Sequence, residues 1–421
     1  MSVLAPLRYS AFRYLAAGRV VNMLGNAAAP IALAFAVLDL TGSAGDLGLV
    51  VGARSVTNVV FLLFGGVLAD RLPRQLVMVV SCVLAAASQG VVAALVLSHT
   101  ATIPLLVILG AVNGVVSAFA FPAAAALIAQ TVPDDIRKQA NAVNRLGING
   151  AMIVGASVGG LVVAGVGPGW GLVADAASFG LSAVLFGLVR VPTYRADDAP
   201  RAGVLRELRE GWTEFIGHTW LWVVVLAFCF FNMADVAAIS VLGPTAADAT
   251  FGRKIWGFVL AAQTAGMLVG AIVAMRLRVR RLLLVGVVSC AVPALFVSAL
   301  ALSTHTAILL GAGFISGLAL EQFGIAWETS VQEHIPADKL ARVYSYDALG
   351  SLIAIPIGQV AAGPLADVVG ARTALLIASG VIVASVLGML LSRSVRTLEH
   401  HPRTPEPVDA AEPVPVPVPA T

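Results

Sequence analysis

The stretch GGVLADRLPRQLVMV, residues 65–79, places one acid and two arginines between two long apolar segments. One apolar run leads into Asp70 and Arg71, and another begins directly after Arg74. A transmembrane helix needs about 20 apolar residues to cross the hydrocarbon core of a bilayer. The stretch therefore predicts a tight polar turn between two consecutive membrane-spanning helices.

Composition extends this interpretation to the whole chain of 421 residues. It is 59% hydrophobic and 12% charged, whereas a soluble domain carries about 25% charged residues. Helices satisfy their own backbone within one segment, as a spanning segment must. We predict an all-α membrane protein with twelve transmembrane helices in two six-helix bundles. The predicted spans are 13–38, 46–69, 75–97, 102–130, 140–166, 170–190, 219–244, 256–276, 282–302, 306–332, 343–366 and 371–392.

Four parts follow from this division of the chain. An N-terminal bundle occupies 1–190, a cytoplasmic linker with an amphipathic helix 191–218, and a C-terminal bundle 219–393. The Pro-rich tail, 394–421, is expected to be disordered. The bundles look related at an offset of 203 residues. The matching positions are Gly110, Gly114, Pro133, Asp135, Gly147, Gly155, Gly160 and Gly167 with Gly313, Gly317, Pro336, Asp338, Gly350, Gly358, Gly363 and Gly370. Two six-helix repeats are the plan of a secondary transporter.

The distribution of positive charge predicts the orientation. With both termini on one side, that side holds 21 of the 26 Arg and Lys residues. By the positive-inside rule this side is the cytoplasm. We predict a multi-pass protein of the bacterial inner membrane with both termini cytoplasmic. The scattered cysteines, Cys82, Cys229 and Cys290, predict no disulfide framework. No metal site, cofactor, nucleic-acid partner or enzyme activity is predicted, and a monomer is sufficient for this fold.

The stretch GVLADRLPR, residues 66–74, resembles the loop 2–3 signature G-x-L-A-D-R-x-G-R-[KR] of the major facilitator superfamily. Pro73 replaces the usual Gly, and Gln75 a usual basic residue. The D-R-x-P-R form is similar to the branch that contains the enterobactin exporter and macrolide efflux proteins. Residues 39–50, 139–160, 166–184 and 205–212 resemble that branch too. The resemblance covers nearly the whole chain apart from the tail.

The resemblance implies that this loop is a conformational latch made by Gly66, Asp70, Arg71 and Arg74. Asp70 would accept hydrogen bonds from the start of helix eleven, near Tyr344, because a helix N-terminus favours an anion. Arg71 and Arg74 would bridge neighbouring helices and lipid phosphates. The alternative is that these residues only set the topology.

The stretch GASVGG, residues 155–160, resembles the helix-five antiporter signature G-P-x-x-G-G of exporters. Ala156 stands at the Pro position, which weakens both the expected kink and the inference to export. The alternative is close helix packing through Gly155, Gly159 and Gly160.

Acidic residues inside predicted spans are candidates for proton coupling, because an intramembrane charge is costly and functional by default. Glu321 lies near the middle of span ten, and Glu328 follows on the same helix face. Asp235 lies in span seven, one turn after Asn232. The alternatives are a structural acid paired with a neighbouring helix and an ordinary buried hydrogen bond. Asp175, in span six, is predicted to be a structural acceptor.

Other polar and aromatic residues are predicted to line a substrate cavity. Arg54 would pair with Asp235 or Glu321, attract an anionic substrate, or extend outward to the interface. Cavity residues would be Arg19, Asn22, Asn26, Arg54, Asn232, Phe119 and Phe231. An aromatic stripe of this kind is also typical of a core or a lipid-facing surface.

The function predicted is proton-coupled efflux of amphipathic small molecules, such as antibiotics, siderophores or secondary metabolites, by alternating access. The partners are the small-molecule substrate, protons and the lipid bilayer. The alternatives are a proton-coupled uptake symporter and a non-transporting membrane sensor. No ATP-binding G-x-x-x-x-G-K-[ST] motif is present.

Overall fold

The computed structural model describes residues 5–69, 74–133, 136–190, 212–277, 279–336 and 339–399. Within these ranges the chain forms twelve helical spans, numbered in chain order, and no strand. The first six are α1 Ser10–Thr41, α2 Ala44–Ala69, α3 Arg74–Leu97, α4 Ile103–Thr131, α5 Arg137–Val166 and α6 Pro168–Gly187. The last six are α7 (Thr219–Ala237, Ala238–Leu242 and Gly243–Ala249), α8 Arg253–Arg276, α9 (Leu282–Ser289 and Val292–Leu302), α10 Thr306–His334, α11 (Leu340–Leu352 and Ile355–Val369) and α12 Ala371–Leu391.

Ten of these helices are long and apolar enough to cross a membrane. The other two are α2 and α4, of 26 and 29 residues, and α4 contains the apolar helix Ile103–Ala118. Large apolar side chains also cover the outside of the bundle: Val368 is 83% exposed and Leu391 is 81% exposed. Such a surface is suited to lipid. The predicted fold class is confirmed, and the predicted span limits agree with the helices to within a few residues.

Prolines explain why three spans of the second half are built in pieces. In α7, α9 and α11 the piece after each irregularity carries Pro244, Pro293 or Pro356 in its first turn. Proline has no backbone N–H and is favoured in the first turn of a helix, whereas further inside it removes a backbone hydrogen bond, as Pro30 does in α1. In α7 the irregularity is the π-helical turn Ala238–Leu242.

The two halves repeat one packing pattern. In the first half α1 packs on α5 and α6, α2 on α4, and α3 on α4 and α6. In the second half α7 packs on α11 and α12, α8 on α10, and α9 on α10 and α12. Helices α4, α5 and α6 begin 203 residues before α10, α11 and α12, while α1–α3 precede α7–α9 by 208 or 209. The repeat predicted from glycines is therefore a repeat of structure.

Matching glycines meet matching backbone carbonyls in the two halves. Gly114 of α4 lies against the Arg54 carbonyl of α2, and Gly317 of α10 lies against the Gln263 carbonyl of α8. A Cβ at either glycine would overlap that carbonyl, so the close helix approach requires glycine. Two further pairs of contacts correspond in the same way. Gly110 lies against Val50 as Gly313 lies against Val259. Gly155 lies against Leu24 as Gly358 lies against Met233.

The halves are joined by two symmetry-related helix pairs, α2 with α11 and α5 with α8. We call the end of the bundle that carries Ala5 and Glu399 the terminal end, and the opposite end the distal end. Gly48 of α2 lies against the carbonyl of Gln359, and Gly160 of α5 lies against Gly257 of α8. These contacts lie in the distal halves of their helices, so the two bundles touch near the distal end.

An ion cluster at the distal end adds a polar tie between the halves. The guanidinium of Arg253, at the start of α8, makes two hydrogen bonds to Asp39 of α1, one of them Nη1–Oδ2 at 3.0 Å. Its Nε donates to Asp248 Oδ1 at 2.7 Å, and its carbon lies 4.8 Å from the centre of the Phe35 ring. Ion pairing, hydrogen bonding and the ring contact thus hold the Arg253 side chain of the second half against α1 of the first half.

The described end of the linker packs on the protein. Residues 212–217 are helical. The Trp212 and Phe215 rings lie 5.4 and 5.9 Å from the Tyr346 ring of α11, and Phe215 is 6% exposed. Lys339 Nζ donates to Glu214 Oε2 at 2.7 Å. In this part of the predicted amphipathic helix, apolar side chains therefore pack against α11. Residues 191–211 and 400–421 lie outside the described ranges.

Candidate functional site

A cavity of about 370 Å³ lies inside the first half, between α1, α2, α3, α4 and α6. We call it the N-terminal cavity. Four of the predicted cavity residues, Arg19, Asn22, Asn26 and Arg54, line it together. The other described lining residues are Met23, Met78, Ser81, Cys82, Ala85, Val116, Ser117, Phe179 and Phe186. The lining is thus mixed, with two positive charges, several small dipoles and apolar walls.

Asparagine side chains organise the α1 wall of this cavity. The two residues are one helical turn apart, so their side chains share a face. Asn26 Nδ2 donates to Asn22 Oδ1 at 2.7 Å, and Asn22 Nδ2 contacts Cys82 Sγ of α3 at 3.8 Å. The neighbouring Arg19 and Arg54 have no hydrogen-bond or ion-pair partner within the described part of the chain.

Arg54 interacts electrostatically with Asp175 of α6. Asp235 and Glu321 were the expected partners, but the acid whose charge acts on Arg54 is Asp175, because α2 and α6 line the same cavity. Asp175 is 1% exposed, and its Oδ2 accepts a hydrogen bond from Gln89 Nε2 at 2.8 Å. Its Oδ1 is buried with no hydrogen-bond partner in the described residues.

Glu321 lies half-buried on α10, against Gly270 of α8. The charge of Arg145, on α5 of the other bundle, acts on it. Arg145 lies within α5, where the helix continues through it. Glu328 is exposed and lies near enough to Glu321 for their charges to interact.

The predicted residues of α7, Phe231, Asn232 and Asp235, are not among the residues that line the N-terminal cavity. Asn232 Nδ2 donates to the Ser351 carbonyl at 3.0 Å, which joins α7 to α11. Phe231 is buried in the core and stacks on Phe228 at 4.8 Å. Asp235 Oδ1 is buried without a hydrogen-bond partner among the described residues, and its charge interacts with Cys290.

A second, smaller cavity of about 210 Å³ lies in the other half, which we call the C-terminal cavity. Its lining includes Phe228, Phe323, Trp327 and Asp347. The rings of Phe228 and Phe323 stack at 4.2 Å, and Trp327 continues the stack at 6.1 Å from Phe323. Stacked rings at these distances form a rigid, flat apolar wall.

Asp347 is a site residue that the sequence analysis missed. Its Oδ2 accepts a hydrogen bond from Trp327 Nε1 at 2.9 Å, and its Oδ1 accepts one from Ser351 Oγ at 3.1 Å. The signal was present, because an acid within span eleven meets the same rule that singled out Glu321.

The glycines of the proposed antiporter signature are in close contacts. Gly155 and Gly159 face α1, while a Cβ at Gly160 would lie 2.8 Å from Gly257 of α8. The first two therefore pack within one bundle, and the third packs across the two bundles. For the proposed latch, Asp70 and Arg71 lie outside the described residues, Gly66 is placed only as part of α2, and Arg74 only as the first residue of α3. The Phe119 side chain is also outside the description.

The sequence model of the Major Facilitator Superfamily matches residues 15–358 and 230–417. The chain belongs to the Major Facilitator Superfamily. It is therefore a multi-pass membrane transporter, whose small-molecule substrate would bind within the lipid bilayer.

Similar proteins agree with this membership. The chain is 27% identical over 408 residues to the multidrug efflux pump Tap of Mycolicibacterium fortuitum, covering 92% of this chain and 96% of Tap. It is 24% identical over 408 residues to YfiS of Bacillus subtilis (strain 168), an uncharacterized MFS-type transporter, covering 90% and 93%.

Solved structures share the fold. A mutant of the nucleoside transporter NupG superposes with a TM-score of 0.75 at 13% identity, covering 90% of this chain and 99% of NupG. A bacterial homologue of the human lysosomal transporter Spinster, inward-facing and occupied, gives 0.71 at 14% identity, covering 92% and 96%.

Proposed function

We propose that this transporter is a proton-coupled exporter of amphipathic small molecules. The observation that carries the proposal is the pair of repeat-related bundles, in contact near the distal end, with a cavity of mixed polar and apolar lining in one and an aromatic cavity in the other. Such a molecule can expose a central site alternately to the two sides by rocking one bundle against the other.

In this proposal the described conformation is closed at the distal end. The glycine contacts of α2 with α11 and of α5 with α8 hold that end together, and the Arg253–Asp39 pair reinforces it. Rocking would separate these contacts and bring the terminal ends together. There, Asp70, Arg71 and Arg74, with Gly66, would act as the latch implied by the superfamily signature.

Coupling is assigned to Glu321. It stands half-buried on α10 and faces the positive charge of Arg145 on the opposite bundle. Protonation of Glu321 would remove this attraction across the gap, so proton binding and bundle movement would be linked. Glu328 and Asp235 are proposed as secondary proton sites.

The proposed cargo combines an apolar body with a polar group. The stacked rings of the C-terminal cavity suit the apolar body, and the N-terminal cavity suits the polar group. The efflux activity in the name of Tap supports the direction. We further propose a monomer in a bacterial inner membrane, with both termini cytoplasmic and the four-part domain division given above.

The experiment uses an efflux-deficient bacterial host that expresses wild type or Glu321→Gln at equal membrane levels. Growth inhibition is measured with macrolides, tetracyclines, phenicols, dyes and siderophore-related compounds. We expect wild type to protect against at least one class and Glu321→Gln to lose that protection.

The control is Glu399→Gln, an acid beyond the last span, which should protect as wild type does. Equal protection by wild type and Glu321→Gln would refute the coupling role while export stands. Increased sensitivity caused by wild type would instead favour proton-coupled uptake.

A further inference from the structure

Among the described residues that line the N-terminal cavity, Arg19 and Arg54 are the two charged groups. Arg54 is on α2 and Arg19 on α1, in the same half and beside the same polar wall. Neither has a hydrogen bond or ion pair within the described ranges. A guanidinium carries five N–H donors in a planar fork that fits a carboxylate or phosphate group. The cavity thus presents guanidinium N–H donors that have no hydrogen-bond acceptor within the described residues.

Among the described residues, the charges around the cavity do not balance. Asp175 is the acid whose charge acts on Arg54, and Gln89 already occupies its Oδ2. Asp175 thus acts on one of the two guanidinium groups, and no acid among the described residues acts on Arg19. A charge inside the membrane region is costly unless it is paired or solvated. An anion that enters the cavity supplies the missing partner.

The remaining walls fit a small amphipathic anion. Both hydrogens of Asn26 Nδ2 are donated to Asn22, while Asn22 Nδ2 contacts Cys82 Sγ and has a second N–H to offer beside the arginines. Phe179, Phe186 and Met78 form apolar surface. A volume of about 370 Å³ lies within the range of small-molecule sites.

We propose that the N-terminal cavity binds the anionic group, carboxylate or phosphate, of an amphipathic substrate between Arg19 and Arg54. This inference rests on the proposed substrate role of the cavity and narrows its cargo to anions. Asp175 then acts as an internal competitor, because its carboxylate and the substrate anion share the positive charge of Arg54.

The test measures binding to purified full-length protein in phosphatidylcholine nanodiscs, which contain no lipid with a net negative charge. The probes share one fluorophore and differ in charge: dansylglycine is an anion, dansylamide is neutral, and dansylcadaverine is a cation. We expect dansylglycine to bind at least about tenfold more tightly than the other two, the discrimination of one good charged contact.

Variants test the assignment of the site. Arg54→Gln and Arg19→Gln should each reduce the preference for dansylglycine to less than about threefold, while dansylamide affinity stays near wild type. Arg54→Lys should keep part of the preference because it keeps the charge. Asp175→Asn should tighten dansylglycine binding. The matched control is Arg13→Gln, an exposed arginine one or two turns before the cavity on α1, which should change nothing.

Equal affinity for the three probes, or tightest binding of dansylcadaverine, would overturn the proposal. So would an Arg54→Gln variant that lowers all three affinities equally, since that result indicates a packing role. Adding phosphatidylglycerol to the nanodiscs distinguishes a lipid phosphate from a substrate anion, because a lipid occupant would compete with dansylglycine. This assay measures binding without transport. The anion site can therefore be confirmed even if export fails in cells, and export can be confirmed even if the anion site is refuted.

Discussion

At the residue scale, single hydrogen bonds fix the walls of the C-terminal cavity. Trp327 is buried within the aromatic stack, yet its indole N–H reaches Asp347 across the gap between α10 and α11. A hydrogen bond to a charged group contributes more than one between neutral groups, and removing one partner leaves the other unsatisfied. This bond therefore holds the ring in the orientation that the stack requires.

Trp327→Phe should keep the stacking on Phe323 but lose the N–H donor. We expect a loss of about 1–3 kcal/mol in stability, the usual cost of an unsatisfied buried acceptor. Thermal unfolding in detergent, monitored by the protein remaining monomeric after heating, measures the effect. The matched control is Trp170→Phe, an indole exposed at the distal end. An equal effect of the two substitutions would contradict the structural role of the bond.

Such contacts can be predicted from sequence only in part, because they depend on which helices are neighbours. The polar residues of α1 and α2 were identified from their place in apolar spans, and four of them line one cavity. The partner of Arg54 was not identified, because a span pattern gives depth in the membrane but not which helices are neighbours. For the same reason the sequence did not connect Asp347 with Trp327.

At the element scale, glycine controls how closely the two bundles approach. Gly363 of α11 lies against the backbone of Ala44 and Gly45 at the start of α2. The spacing of glycines predicted the repeat, since equivalent residues meet equivalent carbonyls. It did not show that Gly155 packs within one bundle while Gly160 packs between bundles, because both occur in one run on one helix.

Gly363→Ala should open the distal end. A Cβ there would overlap backbone atoms, and such overpacking costs about 1–3 kcal/mol, which shifts a two-state population by about 5- to 150-fold. Spin labels at His99→Cys and His305→Cys, exposed distal loop positions in opposite halves, report the distance. The background replaces Cys82, Cys229 and Cys290 with Ala. We expect a longer distance population to grow.

Gly388→Ala is the matched control, since a Cβ at Gly388 meets open space and the gain in helix propensity is the same. Its distance distribution should equal that of the parent protein. A Gly363→Ala distribution that also equals the parent would contradict the role of this contact in distal closure.

At the scale of the whole molecule, charge asymmetry predicts which end faces the cytoplasm. The long apolar runs were sufficient to predict the twelve spans, because a bilayer imposes both their length and their composition. The prolines of α7, α9 and α11 divide three of them, a detail that average hydropathy does not resolve. The orientation is predicted from the Arg and Lys residues in the loops, and several of these loops lie near the terminal end.

Thiol labelling in intact cells tests the orientation. We expect a membrane-impermeant maleimide to label His99→Cys, at the distal end, and not Glu399→Cys, at the terminal end. Permeabilised cells should label both, which controls for reactivity. The opposite labelling pattern would place the termini outside the cell, and the proposed latch would then lie on the outer side of the membrane.

The central claim is that substrate leaves in exchange for protons that pass through Glu321. The most direct measurement uses everted membrane vesicles with an acidified interior and a pH-sensitive dye, to which the panel compounds are added one at a time. We expect at least one compound to dissipate the pH gradient in wild-type vesicles, with little or no response in Glu321→Gln vesicles. A compound that cells expel but that leaves the gradient unchanged, or an equal response from both proteins, would contradict it.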